Sequence, residues 1–322
     1  MRATRWLGLL ALYVGAQSLA LALAFPFRSA GLSSASSRTN LYTPFLLIAA
    51  VVIVPIVLLV LARRHEVMNG IRWLLLVAIG GALYITLIEA ISIVIPIGYP
   101  LAPYVLGLVI YPSIGLAAVV AVALFLALAM EPQWYVVDIA GFAAAASIIA
   151  ILGGSFAILP VFLLLIGLAV YDYIAVYRTK HMLRLADLVV DMKLPILMVM
   201  PESATYDYPN SPTLSEIRQA PVGERGALFM GLGDVVIPGI LVAAAFVWLP
   251  ASPSILGLPG SLWTAIGALV GSLIGYALLM RMVLRGNAQA GLPFLNTGAI
   301  LGYVVTFVLV YRSLGLGFTG AL

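Results

Sequence analysis

Along this chain apolar residues do not alternate with polar ones at strand or helix spacing. They come in nearly unbroken runs of roughly 20 residues, set apart by short polar segments. That is the length an α-helix needs to cross a hydrocarbon core about 30 Å thick, where each backbone polar group must find its partner inside the segment. Nine such spans are predicted: Trp6 to Phe25, Pro44 to Ala62, Trp73 to Ile95, Tyr104 to Met130, Trp134 to Ile151, Phe156 to Tyr177, Leu228 to Leu249, Leu262 to Val283 and Leu292 to Tyr311. The fold class expected is therefore an all-α polytopic membrane protein. The first span resembles a signal peptide, with Arg2 and Arg5 ahead of it and Ala22-Leu23-Ala24 as a small-residue site. Its apolar run exceeds the usual 7 to 15 residues, so it reads as a retained helix.

Composition sharpens this picture. The 322 residues are 64% hydrophobic and 9% charged, against about 25% charged in an average soluble domain, which excludes a water-soluble fold. No cysteine is present, ruling out disulfides, thiol catalysis and cysteine metal sites. The net charge of +4 does not point to nucleic acid, because the basic residues sit in short loops and leave no basic stripe.

Those loops carry orientation instead. Thirteen Lys and Arg fall on one side: Arg2, Arg5, Arg63, Arg64, Arg72, Arg178, Lys180, Arg184, Lys193, Arg218, Arg225, Arg281 and Arg285. Arg28, Arg38 and Arg312 fall on the other. The positive-inside rule then places the N-terminus inside and the C-terminus outside, and an even number of spans would destroy the sorting. The expected location is the cell membrane, with the lipid bilayer as an obligatory partner.

Three parts follow: residues 1–177 with spans one to six, an inner-side loop over 178–227, and residues 228–322 with spans seven to nine. Within the loop, Leu194 to Met200 reads as a short strand and Pro201 to Pro221, rich in Pro, Ser, Tyr and Asn, as a flexible linker. No internal repeat is evident, which weakens an inverted-repeat transporter.

Ionisable groups inside a span are costly, so each is a candidate for function. Four carboxyls qualify: Glu89, Asp138, Asp172 and Asp234. At a helix rise of about 1.5 Å per residue, Asp172 lies ~9 Å from the inner surface, Asp138 ~10 Å and Asp234 ~13 Å, whereas Glu89 is ~25 Å in and cannot join them. Depth alone leaves three candidates for a pair. For Glu89 and Asp138 the plain reading is a carboxyl protonated or hydrogen-bonded to a neighbouring helix. Local sequence favours function at the other two. Asp234 closes Gly231-Leu232-Gly233-Asp234, whose glycines admit another backbone, and Pro238 withholds the amide that the Asp234 carbonyl would normally accept.

At these residues the chain resembles the intramembrane aspartyl proteases of the presenilin and signal-peptide-peptidase superfamily. Tyr171-Asp172 in span six looks like the family's YD motif, and Gly231 to Asp234 like its GxGD motif. Pro293-Phe294-Leu295 at the start of span nine is similar to its Pro-Ala-Leu, with Phe in place of Ala. The compact length is similar to prokaryotic, especially archaeal, homologues. The resemblance implies a presenilin-like fold of nine helices with Asp172 and Asp234 as catalytic residues. It further implies Tyr171, Gly231, Leu232, Gly233, Leu292, Pro293, Phe294 and Leu295 as the substrate-binding surroundings. Transmembrane helical peptides are the implied partners, with room for a homo-oligomer and no cofactor or metal.

Two carboxyls a few ångströms apart do not both ionise cheaply, so one proton is shared and the pair supplies a base and an acid at once. A helical substrate must unwind before its carbonyls are reachable. Leu194 to Met200, or Gly226 to Met230, is expected to offer a strand edge to the unwound segment, with Leu292 to Leu295 as the opposite wall. By resemblance, and with the N-terminus inside, substrates enter with their own N-terminus outside. The competing class is a proton-coupled transporter or channel using the carboxyls as a relay, and Pro55, Pro112 and Pro160 as breaks within spans suit either class. Zinc and serine protease chemistries fail, because the only histidines, His65 and His181, lie in inner-side loops.

Overall fold

The structure, a computed structural model, describes residues 2–29, 42–61, 65–94, 102–105, 108–110, 112–179, 196–203, 205–211, 226–283 and 289–318. Nine helices among them follow the nine predicted spans in order: α1 (Arg2–Ser29), α2 (Tyr42–Leu61), α3 (His65–Val94), α4 (Pro112–Met130), α5 (Trp134–Ser155), α6 (Ile158–Tyr173), α7 (Leu232–Trp248), α8 (Gly260–Val283) and α9 (Leu292–Tyr311). α6 runs on into a π-helical turn, Ile174–Arg178. Six of these helices are long and apolar enough to cross a membrane, and the apolar stretches in α2, α4 and α7 are shorter.

α7 is the centre of the bundle. It packs against α1, α5, α6, α8 and α9, and 11 of its 17 residues are buried, so protein rather than lipid surrounds it. Small residues allow that crowding. Gly153 of α5 faces Ala243, where a Cβ would come within 2.5 Å, and the Trp248 indole N–H donates to the Gly153 carbonyl at 3.1 Å. α8 and α9 interlock through Gly267, Gly271 and Gly275 on one side and Gly298 and Gly302 on the other, each lying against the facing backbone. Close approach of this kind replaces the hydrophobic driving force that is missing between helices in lipid. At the rim, Phe45, Leu46, Val119, Leu301 and Leu309 are exposed and apolar, as a lipid-facing surface requires.

The fold is mostly helical, as expected, but among the described residues it carries three short antiparallel hairpins where one short strand was expected. β1 (Ala102–Val105) pairs with β2 (Leu108–Ile110), β3 (Leu197–Pro201) with β4 (Ala227–Gly231), and β5 (Ser254–Ile255) with β6 (Leu258–Pro259). The fourth span accordingly starts at Pro112 and not at Tyr104, because Tyr104 belongs to β1. The seventh starts at Leu232 and not at Leu228, because the residues before it are extended against β3. The depth of ~13 Å for Asp234 assumed helical rise throughout that stretch and does not apply; the residue sits in the first turn of α7. Pro112 and Pro160 are not breaks within spans either. They lie in the first turns of α4 and α6, where a missing N–H leaves no hydrogen bond unmade. Pro55 does lie within α2. The expected strand is present as Leu197–Pro201, with Leu194 outside the described residues, as are most of the 178–227 loop and most of the expected linker.

Candidate active site

Asp172 occupies the last turn of α6, immediately before the π-helical turn, and is buried. Its Oδ2 accepts the Leu292 amide at 3.1 Å, and it also takes the amide of Gly291. These are the first backbone donors of α9. A helix start has N–H groups without intrahelical partners and a partial positive charge, so a carboxylate belongs there electrostatically. Asp234 is the third residue of α7 and reaches back to the amide of Gly231, which caps that helix. An acidic side chain at the third position commonly satisfies the cap in this way.

The two carboxyls meet over Gly291. While Asp172 takes its N–H, the other face of Gly291 lies against Asp234, where a Cβ would stand 2.7 Å from Oδ1 and 2.9 Å from Oδ2. Glycine at 291 is required by this close approach and not by its backbone angles, which are helical at φ −79°, ψ −46°.

The segment carrying Gly291 is fastened at both ends. Upstream, the Tyr177 hydroxyl donates to Gln289 Oε1 at 2.5 Å and accepts the Ala290 amide at 3.3 Å. Downstream, the Phe294 and Leu295 amides both donate to the Gly291 carbonyl at 3.2 Å, and Pro293 sits in the first turn of α9. Gly275 of α8 lets the Phe294 carbonyl come close. Asn296 then ties α9 to α6, its Nδ2 donating to the Leu165 carbonyl at 2.8 Å. α7 is braced from α1, where buried Gln17 donates to the Val235 carbonyl at 3.4 Å and packs on Gly239, one residue past Pro238.

Among the residues singled out from sequence, Asp172, Asp234, Gly231 and Leu292 come together directly. Leu232 donates its amide to the Ile196 carbonyl at 2.9 Å and so belongs to the hairpin, while Gly233 is exposed with open space where a Cβ would stand. Tyr171 is half-buried beside Asp172. Pro293 and Phe294 are partly exposed at the start of α9, and Leu295 is fully buried. Asp138 does not join the pair; its Oδ1 accepts the Val199 amide at 2.7 Å, beneath β3. Glu89 lies on α3. Sequence reasoning passed over Gly291, Tyr177, Gln289 and Asn296. A glycine directly ahead of Leu292-Pro293 and an asparagine in an apolar span were the available signals. Among the described residues no three of His, Cys, Asp and Glu gather as metal ligands would.

Residues 10–312 match the family model described as signal-peptide peptidase, presenilin aspartyl protease. The chain belongs to that family. Two solved structures are similar to this signal-peptide-peptidase and presenilin family member over nearly its whole length. Both are of a presenilin family intramembrane aspartate protease, one in a C222 and one in a P2 crystal form. The first is 31% identical, covers 94% of this chain and 99% of its own, and superposes with a TM-score of 0.62. The second is 31% identical, covers 94% and 97%, and has a TM-score of 0.61. No curated protein matches the chain. The presenilin family member described here is an intramembrane aspartyl protease, a multi-pass integral membrane hydrolase whose family acts on transmembrane substrates. The transporter reading is not favoured.

Proposed function

We propose that Asp172 and Asp234 are the catalytic pair of this protease. The observation that supports it is the convergence of both carboxyls on Gly291 and Leu292, one from the end of α6 and one from the start of α7. In this arrangement one carboxyl is ionised and the other holds the proton. The ionised group takes a proton from a water molecule, which attacks the scissile carbonyl carbon. The protonated group hydrogen-bonds the carbonyl oxygen and stabilises the tetrahedral intermediate. As the C–N bond breaks, the amine nitrogen takes a proton from the pair, which returns to its starting state with a carboxylic acid and an amine as products.

The substrate is a transmembrane helix that unwinds near the dyad and pairs, as an extended strand, with the β3–β4 hairpin. Tyr171, Gly231, Leu232 and Gly233 border the peptide on one side and Leu292 to Leu295 on the other. Residues 1–177 supply one carboxyl, 228–322 supply the second and the α9 start, and 178–227 form the inner-side loop between them. Charge sorting supports the N-terminus inside, the C-terminus outside, and substrates inserted with their N-terminus outside.

The test uses purified full-length protein in detergent with a helical transmembrane peptide. Cleavage is expected, is blocked by a transition-state mimic of peptide hydrolysis, and falls by about 10³-fold or more in Asp172→Ala and in Asp234→Ala, the scale of lost acid–base catalysis. Cleavage that survives either substitution removes that residue from the pair. Proton-linked solute flux that the mimic leaves alone would transfer the carboxyls to a transport role.

A further inference from the structure

The hairpin has two outer edges, and they are not equivalent. Leu232 N–H donates to the Ile196 carbonyl at 2.9 Å and Glu202 N–H to the Gly226 carbonyl at 2.8 Å, so with the register Met198↔Met230 and Met200↔Leu228 the even-numbered residues of β3 bond inward to β4. Leu197, Val199 and Pro201 therefore turn their backbone groups away from β4, and Ala227, Phe229 and Gly231 turn theirs away from β3.

On the β3 side, the Val199 amide is taken by Asp138 Oδ1 at 2.7 Å and Pro201 has no amide to offer. Asp138 is 5% exposed, on the face of α5 that packs against β3, and Val137, Ala140, Val199, Tyr208 and Ala227 form the surrounding apolar cluster. On the β4 side the edge leads straight to the reaction centre, because the outward amide of Gly231 is held by Asp234 itself. An extended peptide lying on β4 would run alongside Asp234. On the β3 side no peptide can follow, because Val199 is fully buried and α5 packs along that edge.

We propose that Asp138 is a positioning residue that pins the outer edge of β3 to α5, so that the hairpin is held in one place and a substrate strand on β4 presents one register to the dyad. This rests on the reading that the hairpin receives the unwound substrate. A buried carboxyl on an apolar helix face is otherwise an expensive way to pack a hairpin. Here its acceptor oxygen satisfies the central outward amide of β3, which would otherwise be buried unpaired against α5, and so fixes where the hairpin sits.

The experiment compares products by mass spectrometry and separates KM from kcat for a helical transmembrane peptide, using the full chain in detergent. Asp138→Asn, which keeps a carbonyl acceptor, is expected to cleave the same bonds with KM within about twofold of the parent. Asp138→Val is expected to raise KM by about tenfold, the scale of one lost buried hydrogen bond to a charged group, and to spread cleavage over neighbouring bonds. Adding Val199→Pro to Asp138→Val removes the same amide by another route and should restore the narrow product pattern. An Asp138→Val enzyme with unchanged KM and products, an Asp138→Asn enzyme that behaves like it, or a double variant that still cleaves broadly would each overturn the proposal. Hydrogen exchange on the unaltered protein is independent of any variant: the Val199 amide should be protected without substrate, and fast exchange there is equally fatal. Phe229→Pro keeps these outcomes apart from the docking reading, since full activity in that variant would sink substrate pairing on β4 whatever Asp138 does.

Discussion

The amide of Leu292 and the carboxylate of Asp172 lie 3.1 Å apart although 120 residues separate them in sequence. Through that bond the first turn of α9 is set against the last turn of α6, and Gly291, one residue earlier, is brought against Asp234. The two acids do not rely on each other for placement. Each is held by backbone donors at a helix start, which move only if the helices move.

Gly291→Ala places a methyl group where Asp234 Oδ1 would be 2.7 Å away. The carboxyl must rotate or α9 must shift, and displacements near 1 Å at a reaction centre cost about 100-fold in rate. We expect kcat to fall on that scale while thermal unfolding in detergent changes little. Wild-type kcat in Gly291→Ala would show that the segment does not contact the working geometry.

Tyr177→Phe keeps the ring, which packs on Tyr173 with centroids 5.0 Å apart, and removes the hydroxyl that engages Gln289 and Ala290. The segment leading to Gly291 loses its upstream fastening. We expect kcat to drop by up to about tenfold, with KM nearly constant. Gln289→Leu should give a smaller loss, and the double variant should be no worse than Tyr177→Phe, since both substitutions remove the same bond.

Proline substitutions divide the hairpin by parity. At Phe229 the amide points away from β3, so Phe229→Pro leaves the ladder intact and should impair cleavage by removing a docking donor. At Leu228 the amide bonds to Met200, so Leu228→Pro breaks the ladder itself. We expect Phe229→Pro to raise KM at near-normal thermal stability, and Leu228→Pro to lower stability as well, with both read by peptide cleavage and unfolding in detergent.

A shared proton gives the pH profile two limbs. At low pH both carboxyls are protonated and no base remains; at high pH both are ionised and no acid remains. The kcat profile should therefore be a bell, with each limb set by the pair and not by either residue alone. A profile with a single limb would mean that one carboxyl suffices.

Gly271→Leu drives a side chain into the backbone of Gly298 and Gly302. Overpacking of this kind typically costs about 1 to 3 kcal/mol. Melting in detergent should fall by several degrees, and activity should fall with it, since α8 and α9 together carry the Leu292–Leu295 start.

Much of this was legible in the sequence. Long apolar runs located the nine described helices, and Asp172 and Asp234 stood out as acids with no soluble reason to be there. Where the reading stopped, the cause was contact between distant segments. Leu228-Phe229-Met230 is as apolar as the helix it precedes, so hydropathy could not divide strand from span; pairing with Leu197–Pro201 decided it. Asp138 looked the equal of the other two by depth, and only the Val199 amide above it sets it apart. Gly291 carried no motif of its own, since its importance comes from which side chain leans on it.

β4 ends at Gly231 and α7 begins at Leu232, with no turn between them. Strand and acid thus form one stiff lever: a chain that tugs on Phe229 also tugs on Asp234. On the proposed docking of substrate at β4, capture of the peptide and alignment of the reactive group become a single mechanical event, so a poorly seated segment would leave the proton-transfer apparatus out of true.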